Sequence, residues 1–214
     1  MARSRLTEIS EDLNTDSGSV LWSLVRGEQL EFPITMNFIE NYPVLYGGFM
    51  VNPASRYTYE VVVVEALNTS TQEEPPTVVR PSGITSTLNV RVPTYRGNWD
   101  AVQGYNKEEI VAYNSKYYKL ATGSARVSAT QPSSDTLWSE TTLNKVYVQF
   151  PATLGSTWTV QSVGNTSVYG FFEMRVTEPS DAVFQRTWKP VRGMLELLFS
   201  PTEAVTSPSN STIV

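Results

Sequence analysis

Residues 29–38 alternate between polar and apolar side chains. Because successive side chains of a β-strand point to opposite faces, this period of two predicts a strand with one buried face. The apolar residues that share this face are Leu30, Phe32, Ile34, Met36 and Phe38. Pro33 belongs to the opposite face, and since proline has no N–H to donate to a neighbouring strand, it predicts an edge strand or a bulge.

Five further segments have the composition of strands. Residues 56–66 include the consecutive valines 61–64, which predict a strand that is buried on both faces. The other four segments, rich in β-branched and aromatic residues, are 85–92, 145–150, 168–176 and 193–199. We therefore predict an all-β fold with a β-sandwich as its body.

Changes in composition divide the chain into four parts. Residues 1–18 and 201–214 are polar and lack a periodic apolar face, so we expect an N-terminal arm and a C-terminal tail, either disordered or lying on neighbouring copies. Residues 19–95 plus 146–200 form the predicted β-sandwich body, and residues 96–145 form a small inserted domain. The insert must begin and end at neighbouring points of the body, which a small autonomous unit allows.

The chain has no histidine and no cysteine. This composition excludes the Ser-His-Asp triad, the Cys-His pair, histidine- or thiolate-based zinc sites and disulfides. The remaining acid pairs, Glu108 with Glu109 and Asp135 with Glu140, lie in turn-like polar segments where solvated surface acids are commoner than a glycosidase pair. We predict a protein that is not an enzyme and has no metal and no cofactor.

The charge distribution bears on possible partners. The formal net charge is −5 and there is no long basic run, so nothing supplies the counterion release that drives nucleic-acid binding. Acidic residues follow the first basic ones, and we therefore expect no secretory signal peptide. The longest apolar stretch, residues 61–67, is interrupted by Glu65 and is far shorter than a transmembrane helix, so we expect no membrane span.

The insert carries an ordered series of aromatic residues and turns. The series is Trp99, Tyr105, Val111, Tyr113, the turn Asn114-Ser115, Tyr118, Pro132 and Trp138. It resembles the small chitin- and cellulose-binding modules of bacterial chitinases and endoglucanases, which implies a small β domain with an aromatic platform for sugar rings. The family usually has one or two aromatic residues where this chain has Thr122 and Gly123, and this departure removes the expected platform.

The resemblance gives Tyr117, Tyr105 and Trp99 as candidate contacts with a host surface polysaccharide. A second interpretation is that these rings are core, because so small a unit without disulfides or metal depends on large aromatic side chains for its stability. The insert would then be a structural spacer or a surface knob.

The body carries a second resemblance. Residues 26–34 and 57–66 are similar to the N-terminal β-domains of phage baseplate and tail proteins, and residues 168–179 and 187–193 are similar to virion structural proteins of cyanobacterial phages. This implies a protein made in the host cytoplasm and found in the virion, in multiple symmetric copies beside other virion proteins.

Trp188 and Arg192 lie in a proline-flanked segment and are the candidate assembly contacts. For Trp188 an equally good interpretation is a local anchor that closes the sandwich. The leading hypothesis is a phage tail, baseplate or fibre-associated protein. The alternatives are a capsid decoration protein, a glycan-binding adhesin, and a glycan-binding accessory module of a polysaccharide-degrading enzyme.

Overall fold

A computed structural model describes most of the chain, and the described residues are 9–11, 19–68, 79–121, 126–127, 130–158, 167–182 and 185–198. These residues form sixteen strands and one short 3-10 helix. The all-β prediction is confirmed. None of the helical structure in this part of the chain is long or apolar enough to cross a membrane.

Eight strands form the main sheet. In their spatial order they are β1 (Ile9–Glu11), β3 (Leu30–Met36), β14 (Lys145–Phe150), β7 (Val79–Arg91), β6 (Thr58–Asn68), β15 (Ser167–Thr177), β16 (Thr187–Leu198) and β2 (Ser19–Val25). Neighbouring strands are antiparallel except at the two edges, where β1 runs parallel to β3 and β2 runs parallel to β16.

The sheet curls until its two halves face each other across one hydrophobic core. Trp22 on the edge strand β2 contacts Phe32 and Phe150, which lie near the opposite edge, at ring-centroid distances of 4.7 and 5.4 Å. The largest fully buried side chains of this core include Phe32, Phe150, Ile34, Met36, Met174 and Leu195. The body therefore buries one face of a single continuous sheet.

The alternating pattern of residues 29–38 matches the structure of β3. Phe32, Ile34 and Met36 are fully buried, and Leu30 and Phe38 pack at the border of the core. Among the described residues β1 pairs with β3 along Ile34–Met36, so β3 is the second strand of the main sheet and not its edge strand. The prediction that Pro33 marks an edge strand is therefore wrong, and Pro33 lies opposite Tyr147 on β14.

The predicted burial of residues 61–64 on both faces is wrong. Val61 and Val63 on β6 are fully buried, whereas Val62 and Val64 are only half-buried on the outer face of the sheet. Four consecutive valines therefore do not mark a central strand between two layers. Their outer members contribute to a groove that is described below.

Residues 95–141 contain a second, separate sheet. Its four strands, in spatial order, are β13 (Trp138–Thr141), β11 (Lys116–Leu120), β10 (Ile110–Tyr113) and β8 (Tyr95–Asn98). Two further strands, β9 (Gly104–Tyr105) between β8 and β10 and β12 (Arg126–Val127) between β11 and β13, pair with each other as a two-stranded sheet. The buried cluster of this region consists of Tyr105, Val111, Tyr118, Leu120 and Trp138, none of which belongs to the core of the main sheet.

The strands that flank this region are neighbours in the main sheet. Arg91 on β7 lies opposite Tyr147 on β14, so the chain leaves and re-enters the main sheet at adjacent points. Within the small sheet, the turn between β10 and β11 has Asn114 and Ser115 at φ values of 49° and 61°. Two left-handed residues in a row are what a two-residue hairpin of type I′ requires.

The remaining elements are a hairpin and a helical turn. The hairpin consists of β4 (Val44–Tyr46) and β5 (Phe49–Val51), and the 3-10 helix Pro53–Arg56 follows it. Residues 9–11 of the predicted N-terminal arm form β1, whereas residues 1–8 and 12–18 lie outside the described residues. The predicted C-terminal tail, residues 201–214, lies outside them as well.

Candidate interaction surfaces

The β4–β5 hairpin is closed by two glycines in the left-handed region. Gly47 and Gly48 have φ values of 59° and 87°, and a Cβ at either position would meet nothing within 4 Å. Across the hairpin, Leu45 lies opposite Met50 and Tyr46 lies opposite Phe49. The glycines make a tight turn that carries these apolar side chains away from the body.

We call residues 42–51 the apolar hairpin, because this segment contains no charged residue. Six large hydrophobic side chains are exposed in the described part of the chain, and five of them belong to this segment. They are Tyr42, Leu45, Tyr46, Phe49 and Met50, with exposed fractions between 51% and 76%. Because successive side chains of a strand point to opposite faces, Leu45 and Met50 lie on one face of the hairpin and Tyr46 and Phe49 on the other, so both faces expose apolar side chains.

Buried hydrogen bonds fix the base of the apolar hairpin. The amide of Asn52 donates to the carbonyl of Pro93 at 2.8 Å, and its side-chain oxygen accepts from the N–H of Ala54 at 3.0 Å. The guanidinium of Arg56 pairs with Asp181 at 2.6 Å and lies 5.0 Å from the ring centroid of Tyr46. The hairpin is thus an exposed apolar surface on a rigid base.

A second apolar surface lies on the outer face of β6, β15 and β16. Phe171 lies opposite Val64 on one side and Met194 on the other, and Val62 lies in the next row opposite Glu173. These residues line an open depression of about 550 Å³. We call it the outer groove, and its rim includes Arg175 and the exposed Arg192.

Of the charged side chains at the rim of the outer groove, Glu173 is ion-paired and Arg192 is not paired with any described residue. Glu173 pairs with Lys189 at 2.9 Å and with Arg175 at 2.8 Å. Burial acts to raise the pKa of Glu173, but these two cations lower it overall. Arg192 lies directly opposite Glu173 on the neighbouring strand but makes no ion pair with any other described residue.

Trp188 and Arg192 lie on opposite faces of the main sheet. Met174 on β15 lies opposite Val191 whereas Val176 lies opposite Trp188, so β16 carries one extra residue at this point. This irregularity reverses the alternation and turns Trp188 inward, where its ring lies 5.4 Å from that of Phe38. The position of Trp188 fits an anchor that closes the body, and only Arg192 lies on the outer surface.

The structure corrects the proposal that Tyr105 contacts a glycan. The ring of Tyr105 is fully buried and packs edge-on against Trp138 at 5.4 Å. Its hydroxyl accepts a hydrogen bond from the N–H of Asp100 at 2.7 Å. A buried ring offers no face to a sugar, so Tyr105 belongs to the aromatic core of the small sheet.

Trp99 and Tyr117, the two other glycan candidates, pack against different aromatic rings. Trp99 is half-buried against the small core, with its ring 5.5 Å from that of Tyr113. Tyr117 is half-buried and lies edge-on to Tyr95 at 6.1 Å. Burial raises the pKa of both Tyr95 and Tyr117. Tyr95 was not predicted as a site residue, because it lies 22 positions before Tyr117 in the sequence.

An ion-pair cluster connects the small sheet to the main sheet. The nearly buried Glu108 pairs with Lys119 at 2.9 Å and with Arg91 at 3.4 Å. The ammonium of Lys119 also lies 3.9 Å from the ring centroid of Tyr147 on β14. Burial acts to lower the pKa of Lys119, but its contacts with Tyr147 and Glu108 raise it overall.

The other acids considered as candidates are held by local interactions. Glu109 accepts a hydrogen bond from the N–H of Asn106 at 2.8 Å, and Asp135 accepts one from the N–H of Leu137 at 3.0 Å. Glu140 pairs with Lys116 at 2.8 Å. Within the described ranges, no group of three or more acidic side chains is placed to hold a metal ion.

No protein-family model matches the chain, and no curated protein matches its sequence.

Proposed function

We propose that the chain is a non-enzymatic structural protein of a phage-type virion, associated with the tail, the baseplate or a fibre. It assembles in multiple symmetric copies with other virion proteins and is made in the host cytoplasm. The observation that carries this proposal is the apolar hairpin, an uncharged segment whose large side chains are exposed on a rigid base.

The exposed apolar area of the hairpin is large enough for a binding surface. A large aromatic side chain can bury about 150–250 Å², so the exposed fractions of the apolar hairpin amount to roughly 500 Å² of apolar surface. This value lies near the upper end of the largest patches on ordinary monomers, about 300–600 Å², and such patches are often functional. A partner that covers the hairpin removes this area from water.

The resemblance of the body to phage tail and virion structural proteins supports the same proposal, a structural protein of a virion. Virions are built from repeated contacts between rigid subunits, and a hairpin with a fixed base can make one such contact in every copy. A capsid decoration protein would use the same surface, and the two stations differ only in the neighbours of the chain.

Mass spectrometry of gradient-purified particles tests this proposal. We expect the chain to be recovered in the particle fraction after a high-salt wash, with no turnover of polysaccharide substrates by the purified chain. Recovery only in the soluble fraction would overturn the proposal. Recovery with a catalytic chain in place of virion proteins would favour the accessory module of a polysaccharide-degrading enzyme.

A second candidate function is glycan contact by the small sheet. Tyr117 and Tyr95 are half-buried neighbours, and the C–H faces of a sugar ring can stack on such rings. We expect retention of the full chain on chitin, cellulose or host cell-wall polysaccharide to be lost in Tyr117→Ala. Retention should be kept in Val102→Ala, whose side chain is exposed elsewhere in the same segment. No retention of the unchanged chain on any of these materials would remove this candidate.

A further inference from the structure

Two asparagines flank the apolar hairpin, and each of them holds one of the two segments that connect the main sheet to the small sheet. Asn41 precedes the hairpin and Asn52 follows it. We propose that these two residues form a clamp that fixes the orientation of the small sheet on the main sheet and couples it to the apolar hairpin. The coupling is a property of the chain itself and does not depend on the virion proposal.

The chain passes between the two sheets twice, through short segments that we call the two crossings. Residues 92–94 connect β7 to β8, and residues 142–144 connect β13 to β14. The hydrophobic clusters of the two sheets have no residue in common. Two units of one chain move relative to each other unless a large hydrophobic interface joins them. A fixed orientation of the small sheet therefore depends on specific contacts at the crossings.

Asn52 holds the first crossing by a buried hydrogen bond. Its side-chain amide donates to the carbonyl of Pro93 at 2.8 Å, and Asn52 is only 1% exposed. The carbonyl of the next residue, Thr94, accepts from the N–H of Ile110 on β10 at 2.8 Å. Because a buried carbonyl is costly to leave without a partner, the bond to Pro93 resists separation of the hairpin base from the first crossing.

Asn41 holds the second crossing. Its side-chain oxygen accepts from the N–H of Leu143 at 2.7 Å, and the side chain of Leu143 is fully buried. The next residue, Asn144, makes two hydrogen bonds with Met36 at the end of β3. Its carbonyl accepts from the N–H of Met36 at 2.8 Å, and its amide donates to the carbonyl of Met36 at 3.2 Å. The second crossing is therefore bonded both to the main sheet and to the residue that precedes the hairpin.

The two bonds connect both ends of the hairpin to the small sheet. A rotation of the small sheet that displaces the crossings must break the bond from Asn52 or the bond to Asn41. Coupling between two sites is reciprocal, so a partner that restrains the hairpin also restrains the small sheet. The candidate assembly surface and the candidate glycan surface are thus held in a fixed relation within each copy.

Spin-label distances in the full chain test the clamp, because the sequence contains no cysteine that would compete for the label. Val102→Cys places one label in the small-sheet region, and Ala152→Cys places the other in the body after β14. Both side chains are exposed. Neither label lies in the hairpin, so loosening confined to the hairpin leaves their distance unchanged. Double electron–electron resonance measures the width of the distance distribution.

The test variant and its control differ at one exposed position. Asn41→Ala removes the acceptor of the Leu143 N–H, whereas Asn41→Asp keeps a side-chain oxygen in the same place. Because Asn41 is exposed, the charge of the control is solvated. Asn52→Ala removes the bond to Pro93, and circular dichroism checks that each variant is folded. If Asn52→Ala does not fold, the comparison at Asn41 decides the test alone.

We expect Asn41→Ala to widen the distance distribution at least twofold, and Asn41→Asp to leave it as narrow as in the labelled chain without a change at Asn41. Folded Asn52→Ala should widen it as well. An unchanged width in Asn41→Ala would overturn the inference and leave the ion pairs of Glu108 as the contacts that orient the small sheet. Equal widening in Asn41→Asp would overturn it too, because loss of the acceptor would then not be the cause.

The result is separable from the test of the proposed function. If the chain is recovered in purified particles but Asn41→Ala leaves the distribution narrow, the clamp is wrong and the virion proposal stands. If Asn41→Ala widens the distribution but the chain is missing from particles, the clamp orients the small sheet as inferred and the virion proposal is wrong.

Discussion

The ring of Trp22 lies 4.7 Å from the ring of Phe32, although six strand positions separate their strands in the main sheet. The same indole stacks on Phe172 at 3.9 Å with an interplanar angle of 7°. Trp22 therefore joins the first and last parts of the sheet across the core. A continuous sheet can bury its inner face in this way because strands twist and the sheet curls with them.

Replacing Trp22 should weaken the whole body. Removal of a large buried aromatic side chain leaves a cavity, so we expect Trp22→Ala to lower the free energy of unfolding by about 3–5 kcal/mol. Urea unfolding followed by circular dichroism measures the change. The control Val102→Ala alters an exposed side chain and should shift the free energy of unfolding by no more than about 0.5 kcal/mol. Similar values for both variants would show that the contacts of Trp22 do not close the body.

Gly170 should not tolerate even a methyl group. A Cβ at this position would lie 2.4 Å from Cη2 of Trp158 and 3.1 Å from the carbonyl oxygen of Val64. We expect Gly170→Ala to lower the free energy of unfolding by about 1–3 kcal/mol, because the core is overpacked. The variant Gly170→Ala with Trp158→Phe removes the clashing ring atoms. Gly170→Ala should therefore lower the free energy of unfolding less in the Trp158→Phe chain than in the natural chain. Equal effects of Gly170→Ala in the two chains would contradict this packing.

The link between the two sheets should depend on pH through Lys119. Because its pKa is raised in the folded state, its stabilising contribution is present in full below the ordinary value of 10.5 and is lost as the pH rises through the higher folded value. At pH 8 we expect Lys119→Met to lower the free energy of unfolding by about 1–3 kcal/mol, since Glu108 loses a charged partner. The difference from the unchanged chain should shrink above pH 10.5. A difference that stays constant to pH 11.5 would exclude Lys119 as its source.

The apolar hairpin should matter for assembly and not for folding. Phe49 is 76% exposed, so we expect Phe49→Asp to change the free energy of unfolding by less than about 0.5 kcal/mol. The same charge placed in an apolar interface should reduce incorporation into particles at least tenfold. Quantitative blotting of purified particles measures this, with Val102→Asp as the control. Normal incorporation of Phe49→Asp would show that the hairpin faces solvent in the particle.

Local patterns in the sequence predicted the strands more reliably than the surfaces. The alternation of residues 29–38 identified the buried face of β3, and the predicted strand 145–150 has the bounds of β14. These segments obey one local rule, the period of two. The alternation within one strand does not show whether a second layer packs against its outer face. For this reason the burial of Val62 and Val64 was predicted wrongly.

Which face of the main sheet Trp188 and Arg192 lie on depends on the pairing of distant parts of the chain. An extra residue in β16 reverses the alternation between Trp188 and Arg192, and only the pairing with β15 reveals it. The apolar hairpin has a signal in the sequence, a Gly47-Gly48 turn with uncharged apolar residues on both sides. That signal resembles a buried hairpin as much as an exposed one, so the structure was needed to show that its side chains face outward.

The most direct test of the account is the absolute copy number of the chain per purified particle, measured by mass spectrometry with isotope-labelled reference peptides. The account predicts a constant number, the same in independent preparations, that is a multiple of the rotational symmetry of the particle. A chain that is absent, or whose number varies between preparations and falls below one copy per particle, would contradict it.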